Sequence, residues 1–519
     1  MAVAADRAAR AAPDPDLAGA RELAREANVI AVTRRFVDDC ETPVSAFLKL
    51  REALGGGPSF LLESADQGRL GRYSFLGFRP HVVLGWTDGV LEEWSGEAVA
   101  AAGSGGPEAW GEPAARHEAP DPYAAVAEYL GRHRLAGGEL PPFAGGAVGY
   151  FGYDLVRAVE PLGPPNPDPL GLPDMTLMLC ELVVAFDHQR HELTIVAYAY
   201  AGAEGIDDAY ARAAALIDEA RAALRAPVPR VDARSPAAVP EFTSNMSREQ
   251  FEADVSRIVE YIRAGDAFQV VPSQRFSAPA PVEAFSIYRG LRTINPSPYM
   301  YYLEFGDFQI AGASPEPLVK VTGRTVETRP IAGTYPRGAN EEEDRRRAER
   351  LLADPKERAE HVMLVDLGRN DLGRVCEYGS VGVDELMVVE TYSHVLHIVS
   401  QVSGTLREGV TAMDALRAVL PAGTLSGAPK VRAMQIIDEL EPHKRCSYGG
   451  AVGYVSFNGD LDTAIHIRTV VVKDGLIHIQ AGGGTVVDAK PDYEYEESVN
   501  KARAIFQAVE LAASQPEWP

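Results

Sequence analysis

The stretch Tyr299-Met-Tyr-Tyr-Leu-Glu-Phe-Gly-Asp-Phe-Gln-Ile-Ala311 places the dipeptide Gly306-Asp307 between two runs rich in aromatic and aliphatic residues. Such runs favour β-strands, and a Gly-Asp pair between them is typical of the tight turn of a β-hairpin. Similar turn signals recur at Asp88-Gly89, Asn458-Gly459 and Asp474-Gly475. The sequence therefore predicts antiparallel sheets built largely from hairpins.

Helical patterns separate these hairpins. Ser247-x-x-Gln250 is typical of a capping box, and apolar residues then recur with the helical period as far as Gly265. Residues 429–440 and 493–513 show the same period. Hairpins interspersed with helices predict an α+β fold, with antiparallel β-sheets and helices packed outside, rather than a doubly wound parallel fold.

The sequence predicts a short N-terminal segment, two larger parts and a linker between them. Residues 1–27 are rich in Ala, Arg and Asp without an apolar core, so we expect no secretory signal there and either disorder or a loose helix. Proline-rich residues 226–243 predict a linker between an N-terminal part, residues 28–225, and a C-terminal part, residues 244–513.

Charge and cysteine content narrow the class of protein. The net charge is −24, from 74 acidic and 50 basic side chains. The resulting negative electrostatic field repels a nucleic acid backbone. It would also repel a small dianion unless a metal ion or local cations reverse it. The four cysteines form no C-x-x-C pair, which argues against a disulfide scaffold and suits the reducing cytoplasm. No apolar run reaches membrane-spanning length, so we expect no membrane association.

Two pairs of glutamates could bind a metal ion. Glu357 and Glu360 are three residues apart in a predicted helix, and Glu494 and Glu497 have the same spacing after Pro491. Residues three apart share a helix face, so each pair presents two carboxylates in one direction. Magnesium prefers such oxygen ligands and keeps positions open for water and substrate. Either pair alone is also typical of a solvated helix face, and spacing does not show whether the two pairs meet.

Glycine and histidine supply further candidates. Ala481-Gly-Gly-Gly-Thr485 follows a predicted strand, and its backbone N–H groups could hold a carboxylate, although a simple turn has the same composition. His394 and His397 are three apart in a predicted strand, so they point to opposite faces and would not share a metal. His397 would become a general acid or base if it reached a pocket.

A glutamine-hydrolysing nucleophile is missing from the sequence. No cysteine stands in a Gly-x-Cys-x-Gly elbow, and no Gly-x-Ser-x-Gly elbow occurs.

Six motifs between about residues 245 and 510 together resemble, in order and spacing, those of the chorismate-utilising enzymes. They are Pro330-Ile-Ala-Gly-Thr334, Lys356-Glu-Arg-Ala-Glu-His361, Leu364-Val-Asp-Leu-Gly-Arg-Asn-Asp371, Gly423-Thr-Leu-Ser-Gly-Ala-Pro-Lys430, Tyr448-Gly-Gly-Ala-Val-Gly453 and Ile467-Arg468. Within that family the chain is similar to anthranilate synthase component I, which implies the chorismate-binding fold of that group.

The resemblance also implies a set of site residues. It implies Mg²⁺ bound by Glu360 and Glu497, supported by Glu357 and Glu494. It implies chorismate contacts from Gly333, Thr334, Tyr448, Arg468 and the backbone of Gly482, Gly483 and Gly484. An arginine can bind a carboxylate through two parallel hydrogen bonds, and the metal would neutralise the other carboxylate.

Two positions separate the chain from other members of the family. Water-using relatives carry a lysine base where this chain has Gln269, and a glutamine cannot take a proton from water, so we expect ammonia as the nucleophile. Aminodeoxychorismate synthases typically carry a nucleophilic lysine where this chain has Ala332. We expect Glu316 to act as the general acid for the C4 hydroxyl, and His397 to assist proton transfer during loss of pyruvate.

The resemblance implies partners and regulation as well. A glutamine amidotransferase subunit, component II, would supply ammonia for the first committed step of tryptophan biosynthesis. Leu61-Leu-Glu63-Ser64 and Asn295-Pro-Ser-Pro298-Tyr299-Met300 resemble the two segments that bind feedback tryptophan, which implies an allosteric site at Ser64, Glu63, Pro298, Tyr299 and Met300. The alternatives are an aminodeoxyisochorismate or aminodeoxychorismate synthase subunit and a non-catalytic binding paralogue.

Overall fold

The computed structural model describes residues 12–64, 71–103, 105–107, 109–202, 205–230, 235–392 and 395–518. The strands of the N-terminal part are β1 (Val29–Val37), β2 (Ser59–Glu63), β3 (Tyr73–Thr87), β4 (Val90–Ser95), β5 (Ala115–Glu118), β6 (Leu135–Gly137), β7 (Gly146–Phe151), β8 (Met175–Asp187) and β9 (Glu192–Tyr200). Those of the C-terminal part are β10 (Thr243–Ser244), β11 (Gln269–Val270), β12 (Ser273–Pro279), β13 (Tyr299–Glu304), β14 (Phe308–Ser314), β15 (Pro317–Thr322), β16 (Thr325–Thr328), β17 (Ile331–Pro336), β18 (Gly382–Thr391), β19 (Val395–Thr405), β20 (Gly427–Ala428), β21 (Ala451–Ser456), β22 (Leu461–Ile465), β23 (Thr469–Lys473) and β24 (Leu476–Gly482).

The helices complete the set of regular elements. They are α1 (Leu17–Leu23), α2 (Pro43–Ala53), α3 (Gly96–Ala102), α4 (Pro122–Gly131), α5 (Ile206–Leu224), α6 (Arg248–Ala264), α7 (Ala284–Ile294), α8 (Glu341–Ala353), α9 (Pro355–Gly373), α10 (Ala412–Val419), α11 (Gly423–Ser426), α12 (Lys430–Leu440) and α13 (Pro491–Ala513), with a 3-10 helix at Tyr153–Ala158. None of the helices in the described part of the chain combines the length and the hydrophobicity that crossing a bilayer requires.

The four predicted hairpins are confirmed. β13 and β14 pair in antiparallel register around Gly306-Asp307, with Tyr302 opposite Ala311. The pairs β3–β4, β21–β22 and β23–β24 form around the other three turns. The predicted helix after Ser247 is also confirmed, because the Ser247 hydroxyl accepts the Gln250 N–H at 3.2 Å and Gly265 ends the helix in the left-handed conformation.

Two antiparallel layers extend from the long strands β3 and β8. One layer runs β6-β1-β9-β8-β3-β2-β13-β14-β23-β24-β12-β10, in which only β1 and β6 pair in parallel. The other runs β5-β4-β3-β8-β7-β21-β22-β15-β16-β19, and β17 and β18 also pair with β19. β11 and β20 form a separate two-stranded ladder.

Helices cover the outer faces of both layers. Along β13 the side chains alternate: Tyr301 and Leu303 lie in the core between the layers, whereas Met300 and Tyr302 pack beneath helices. The helices α2, α5, α7 and α13 bury one outer face and α4, α10 and α11 the other. This arrangement confirms the α+β fold with antiparallel sheets and helices packed outside.

The N-terminal and C-terminal parts share these sheets. β2 pairs with β13, and β7 pairs with β21, so strands from both sides of the proline-rich segment lie side by side. The predicted boundaries between the parts stay predictions. Of the two alternatives for the N-terminal segment, residues 12–27 contain the helix, α1, whose Ala20 is fully buried and whose Arg21 pairs with Asp207 on α5.

Candidate active site

One cleft of about 570 Å³ brings together nearly all the residues predicted to bind or convert a substrate. Its lining includes Gln269, Glu316, Gly333, Thr334, Glu357, Glu360, His397, Tyr448, Arg468, Gly482, Gly484, Glu494 and Glu497. Gly483 stands between two of these glycines and lies against the carboxylates of Glu494 and Glu497. The structure therefore gathers residues from β11, β17, β19, β24, α9 and α13 into one site, while their individual roles stay predictions.

The four glutamates stand on the first two turns of two helices. Asp354 caps α9 by accepting the N–H groups of Lys356 and Glu357 at 2.9 and 3.3 Å, and Pro355 provides a suitable first residue. Pro491 begins α13 in the same way. These local signals place each predicted pair, Glu357 with Glu360 and Glu494 with Glu497, on its helix as the spacing indicated.

The two pairs of carboxylates face each other across the cleft. Burial, followed by the charge of Glu497 on the same helix, raises the pKa of Glu494 to about 7, and the charge of Glu360 on the opposite helix acts in the same direction. Burial and the charge of Glu360 raise the pKa of Glu357. Negative charge is therefore concentrated here and needs a cation to balance it.

The donor set fits a magnesium ion. Glu494 is only 6% exposed, and its Oε2 has no hydrogen-bond partner. A Cβ atom on Gly483 would lie 3.1 Å from Glu494 Oε2 and 3.2 Å from Glu497 Oε1, so glycine leaves open a space next to both carboxylates. Within the described residues, no three His, Cys, Asp or Glu side chains group closely enough to hold a metal by themselves. Magnesium does not require such a group, since it commonly uses one or two carboxylates together with water and substrate oxygens.

Two cations stand beside these carboxylates. Lys501 Nζ lies 2.8 Å from Glu497 Oε1 and donates to the Gly482 carbonyl at 2.9 Å. Arg468 adopts a positive φ of 53°, which non-glycine residues rarely adopt and which often marks a functional site. Burial lowers the pKa of Arg468, and the neighbouring Tyr448 and Glu497 oppose that effect. Sequence reasoning identified Arg468 but missed Lys501, although its spacing of four from Glu497 was a usable signal.

Gln269 lies at the carboxylate end of the cleft. Its Nε2 donates to Glu360 Oε1 at 3.2 Å, whereas its Oε1 is buried without a hydrogen-bond partner. A Cβ atom on Gly484 would approach Gln269 Nε2 to 2.2 Å, so a larger residue there would displace the amide from its present position. The site thus holds an uncharged amide whose carbonyl oxygen accepts no hydrogen bond from the described residues.

Glu316 has a different environment from the other carboxyl groups. The Thr424 hydroxyl donates to its Oε1 at 3.0 Å. Burial raises the pKa of Glu316 to about 8, and the Thr424 hydrogen bond and the charge of Lys501 partly oppose that increase. A carboxyl group with this pKa is largely protonated at neutral pH and can donate a proton. Thr424 belongs to the motif that runs from Gly423 to Lys430, but the sequence did not assign it to the site.

His397 is held by the neighbouring strand β17. Its Nδ1 lies 3.0 Å from Thr334 Oγ1 and 3.3 Å from the Gly333 carbonyl oxygen. Burial lowers the pKa of His397, so the ring is neutral at pH 7. Since a carbonyl oxygen only accepts, Nδ1 carries the proton in this contact, and Nε2 keeps its lone pair. The other predicted histidine, His394, lies outside the described residues.

The two segments predicted to bind tryptophan are neighbouring strands. β2 and β13 pair in a register that sets Glu63 opposite Met300. Glu63 accepts two hydrogen bonds from Arg292, at 2.9 and 3.0 Å, and one from the Tyr288 hydroxyl. The Ser64 hydroxyl is buried and has no hydrogen-bond partner among the residues that the structure describes.

The predicted tryptophan residues are divided between two faces of the sheet. Met300 packs beneath the helices, whereas Tyr299 packs against the core between the layers and donates to Asp462 at 3.1 Å. Side chains of neighbouring strand residues point to opposite faces, so Tyr299 and Met300 lie on different sides of the sheet. Pro298 is buried immediately before them.

Comparisons with known proteins identify the family of the chain. Residues 98–507 match the family model described as chorismate binding enzyme. The chain is 50% identical to an anthranilate synthase component 1 of Pseudomonas putida over 93% of this chain and 96% of that protein. It is 49% identical to the component 1 of Pseudomonas aeruginosa over 94% of this chain and 97% of that protein. The crystal structure of anthranilate synthase component I from Streptococcus pneumoniae superposes with a TM-score of 0.73 and 39% identity, covering 85% of this chain and 93% of that one. The chain therefore belongs to the chorismate-binding enzymes and, among them, to the anthranilate synthase component 1 family.

Proposed function

We propose that this chain is the magnesium-dependent lyase subunit that converts chorismate and ammonia to anthranilate and pyruvate. The observation that carries the proposal is the pairing of Gln269 with Glu360 inside a cleft that also contains the protonated carboxyl of Glu316. The cleft thus offers an acid for a leaving hydroxyl, but it holds an amide where a water-using relative would need a base.

The substrate is a dicarboxylate, and the cations of the cleft suit it. Arg468 and Lys501 each supply a positive charge, and the N–H groups of residues 482–484 supply further donors. Magnesium, when bound by Glu360 and Glu497 with support from Glu357 and Glu494, would neutralise a carboxylate and polarise the substrate. Gly333, Thr334 and Tyr448 line the remaining wall and restrict the orientation of the ring.

Ammonia is the nucleophile that suits Gln269. The free Oε1 can accept a hydrogen bond from ammonia and orient its lone pair, yet an amide cannot remove a proton from water. Ammonia needs no such activation, because it is already nucleophilic. It adds at ring C2 while the C4 hydroxyl takes a proton from Glu316 and leaves as water.

Loss of pyruvate completes the reaction. The Nε2 of neutral His397 is available to accept the proton from C2 as the C3–O bond to the enolpyruvyl group breaks and the ring becomes aromatic. The resulting imidazolium can return that proton to the methylene carbon of the departing enolpyruvate, which becomes pyruvate. Aromatisation drives this step, so the protein needs to position the proton acceptor rather than to stabilise a high-energy intermediate.

A second subunit would supply the ammonia. All four thiols have a raised pKa: burial is the main cause for Cys180, Cys376 and Cys446, and hydrogen bonding to Asp39 is the main cause for Cys40. A nucleophilic cysteine needs the opposite shift. We therefore infer that a glutamine amidotransferase, the component II of this enzyme, hydrolyses glutamine in the cytoplasm and delivers ammonia to the cleft.

Tryptophan would act as a feedback inhibitor through β13. The strand pairs with β2, which ends beside Ser64, and with β14, which leads directly to Glu316. β14 also pairs with β23, whose first residue follows Arg468. A ligand that binds at Ser64 and favours a shifted β13 would thus change the positions of two site residues.

The test uses the purified chain with chorismate and magnesium. With ammonium and no partner we expect anthranilate fluorescence and one pyruvate for each anthranilate. With glutamine instead of ammonium we expect no product. Turnover of glutamine by the chain alone would contradict the need for a partner. An aminated product without pyruvate would instead identify an aminodeoxyisochorismate or aminodeoxychorismate synthase.

A further inference from the structure

Arg445 is a buried cation behind the wall of the cleft. Its side chain is 2% exposed, and its ion-pair partner, Glu441, is 5% exposed. The guanidinium uses all of its nitrogens: Nε donates to Glu441 at 2.9 Å, Nη1 donates to the Leu425 carbonyl at 2.6 Å, and Nη2 donates to the Val271 carbonyl at 2.6 Å as well as to Glu441. Burying such a pair contributes little net stability in general.

The two carbonyl groups belong to the two segments that form this wall. Val271 and Leu425 both line the cleft. Val271 also donates its N–H to the Ser426 carbonyl at 3.1 Å, which completes a short connection between the segments. Ser273 donates from its N–H and its hydroxyl to Glu441, both at 2.8 Å, so the ion pair also holds the following residues of the first segment.

Each segment carries a side chain that contacts a predicted catalytic or metal-binding carboxyl group. The first carries Gln269, two residues before Val271, whose amide donates to Glu360. The second carries Thr424, next to Leu425, whose hydroxyl donates to Glu316. The guanidinium also lies 5.6 Å from the centroid of the Tyr448 ring, on a third part of the wall.

We propose that Arg445 is a positioning residue for the reaction: its guanidinium holds the segments of Gln269 and Thr424 at a defined separation and so aligns Glu360 and Glu316 with the bound substrate. This inference rests on the proposed function of the cleft. The planar guanidinium spreads five N–H donors over three nitrogen atoms, which lets it hold two carbonyls and a carboxylate that lie in different directions. A lysine can pair with Glu441, but its three donors stand on one nitrogen, so we expect it to lose at least one of the two carbonyl contacts.

The pH dependence of turnover reports on this alignment through Glu316. The Thr424 hydrogen bond lowers the pKa of Glu316, so weakening that bond raises the pKa. Of the charged groups near Glu316, Lys501 lowers its pKa, while Arg329 and Asp371, which is paired with Lys430, line the small cavity behind it. None of these contacts involves Arg445, so its substitution acts on Glu316 only through Thr424.

The experiment compares Arg445→Lys with the matched control Lys444→Met, using the full chain with ammonium. Lys444 is the preceding residue, and its buried ammonium pairs with Asp174 at 2.7 Å away from the cleft. Lys444→Met loses its buried ion pair altogether, whereas Arg445→Lys keeps a cation opposite Glu441, so the control is at least as disruptive to buried charge as the test variant. For Arg445→Lys we expect kcat to fall on the order of 10- to 100-fold with KM for chorismate changed less than about threefold, because misalignment affects the reacting groups more than binding. In a plot of kcat against pH, the fall at high pH that reports deprotonation of Glu316 should move to higher pH in Arg445→Lys. The same shift is expected in Thr424→Val. Lys444→Met should keep the wild-type position of this fall and a kcat within about twofold of the wild type.

Two outcomes would overturn the proposal. One is a kcat for Arg445→Lys no lower than that of Lys444→Met, and the other is an unmoved fall of kcat at high pH. If Arg445→Lys does not fold, the double variant Arg445→Met with Glu441→Leu removes both buried charges, which usually preserves folding. A wild-type kcat in that double variant would refute the role of the guanidinium. Failure of the wild type to form anthranilate would refute the proposed function instead, so the two failures are distinguishable.

Discussion

The Gln269 amide donates a hydrogen bond to the Glu360 carboxylate at 3.2 Å, and its own carbonyl oxygen is left without a partner. One side chain thereby links the carboxylates proposed to hold magnesium to the position proposed for ammonia. The amide is neutral, so it contributes direction without a proton acceptor. A change at Gln269 should therefore alter which nucleophile the cleft uses.

Replacing Gln269 with lysine should divert part of the flux towards a hydroxylated product. Burial disfavours the charged ammonium, and a neutral lysine amine could take a proton from water. Product analysis by chromatography in the absence of ammonia should show isochorismate or salicylate. Gln269→Met is the matched control, since it has similar length and no base, and it should form neither product. If the lysine variant forms neither product as well, Gln269 does not occupy the position of the family's lysine base.

Replacing Glu360 or Glu497 with glutamine should weaken magnesium binding while the fold survives. Each change removes one negative charge with almost no change in size, and losses on the order of 10-fold or more are expected for a metal ligand. Activity measured against magnesium concentration gives the apparent affinity. The control is Glu510→Gln, an exposed position on the same helix as Glu497, and it should behave as the wild type. An unchanged magnesium dependence in both site variants would mean that the metal lies elsewhere.

The rate should fall as the pH rises through about 8, because Glu316 must be protonated to act as an acid and burial raises its pKa to about 8. Glu316→Gln should abolish most of kcat, and its residual activity should no longer fall as the pH rises through this range.

The same residue predicts a change in stability with pH. The folded Glu316 holds a proton that the unfolded chain releases above its ordinary pKa of 4.5. Its contribution to stability is therefore present below that value and decreases between pH 4.5 and about 8. Urea unfolding at several pH values should show a weaker decrease for Glu316→Gln than for the wild type. Equal decreases in both proteins would argue against a raised pKa.

Replacing Ser64 with phenylalanine or arginine should relieve inhibition by tryptophan without abolishing catalysis. The unpartnered, buried hydroxyl marks space for a polar group of a ligand, and a bulky side chain would fill it. Initial rates at fixed chorismate, measured against tryptophan, test this. Ser64→Ala is the control that removes the hydroxyl but keeps the space, so it should weaken inhibition less. No effect of millimolar tryptophan on the wild type would remove the basis for a feedback site.

Local sequence signals were sufficient for the hairpins and for the longer helices. The turn at Gly306-Asp307 and the cap at Ser247 depend on residues within a few positions of each other, so they are readable from the sequence. The spacing of three between Glu357 and Glu360 likewise determines a shared helix face. The sequence left open whether residues 1–27 contain a helix, because α1 makes distant contacts, such as the ion pair of Arg21 with Asp207.

The sequence by itself determined the family, the α+β class and the identity of most cleft residues, because motifs and periodicity are local or cumulative properties of the chain. Only the tertiary structure decided that the carboxylates of α9 and α13 face each other, that Lys501 balances them, and that Tyr299 and Met300 point to opposite faces. Only the structure showed that Arg445 connects two segments of one wall of the cleft. Such relationships join residues far apart in the chain, and they arise from packing two sheets and their helices around shared cores, which no spacing within one segment can encode.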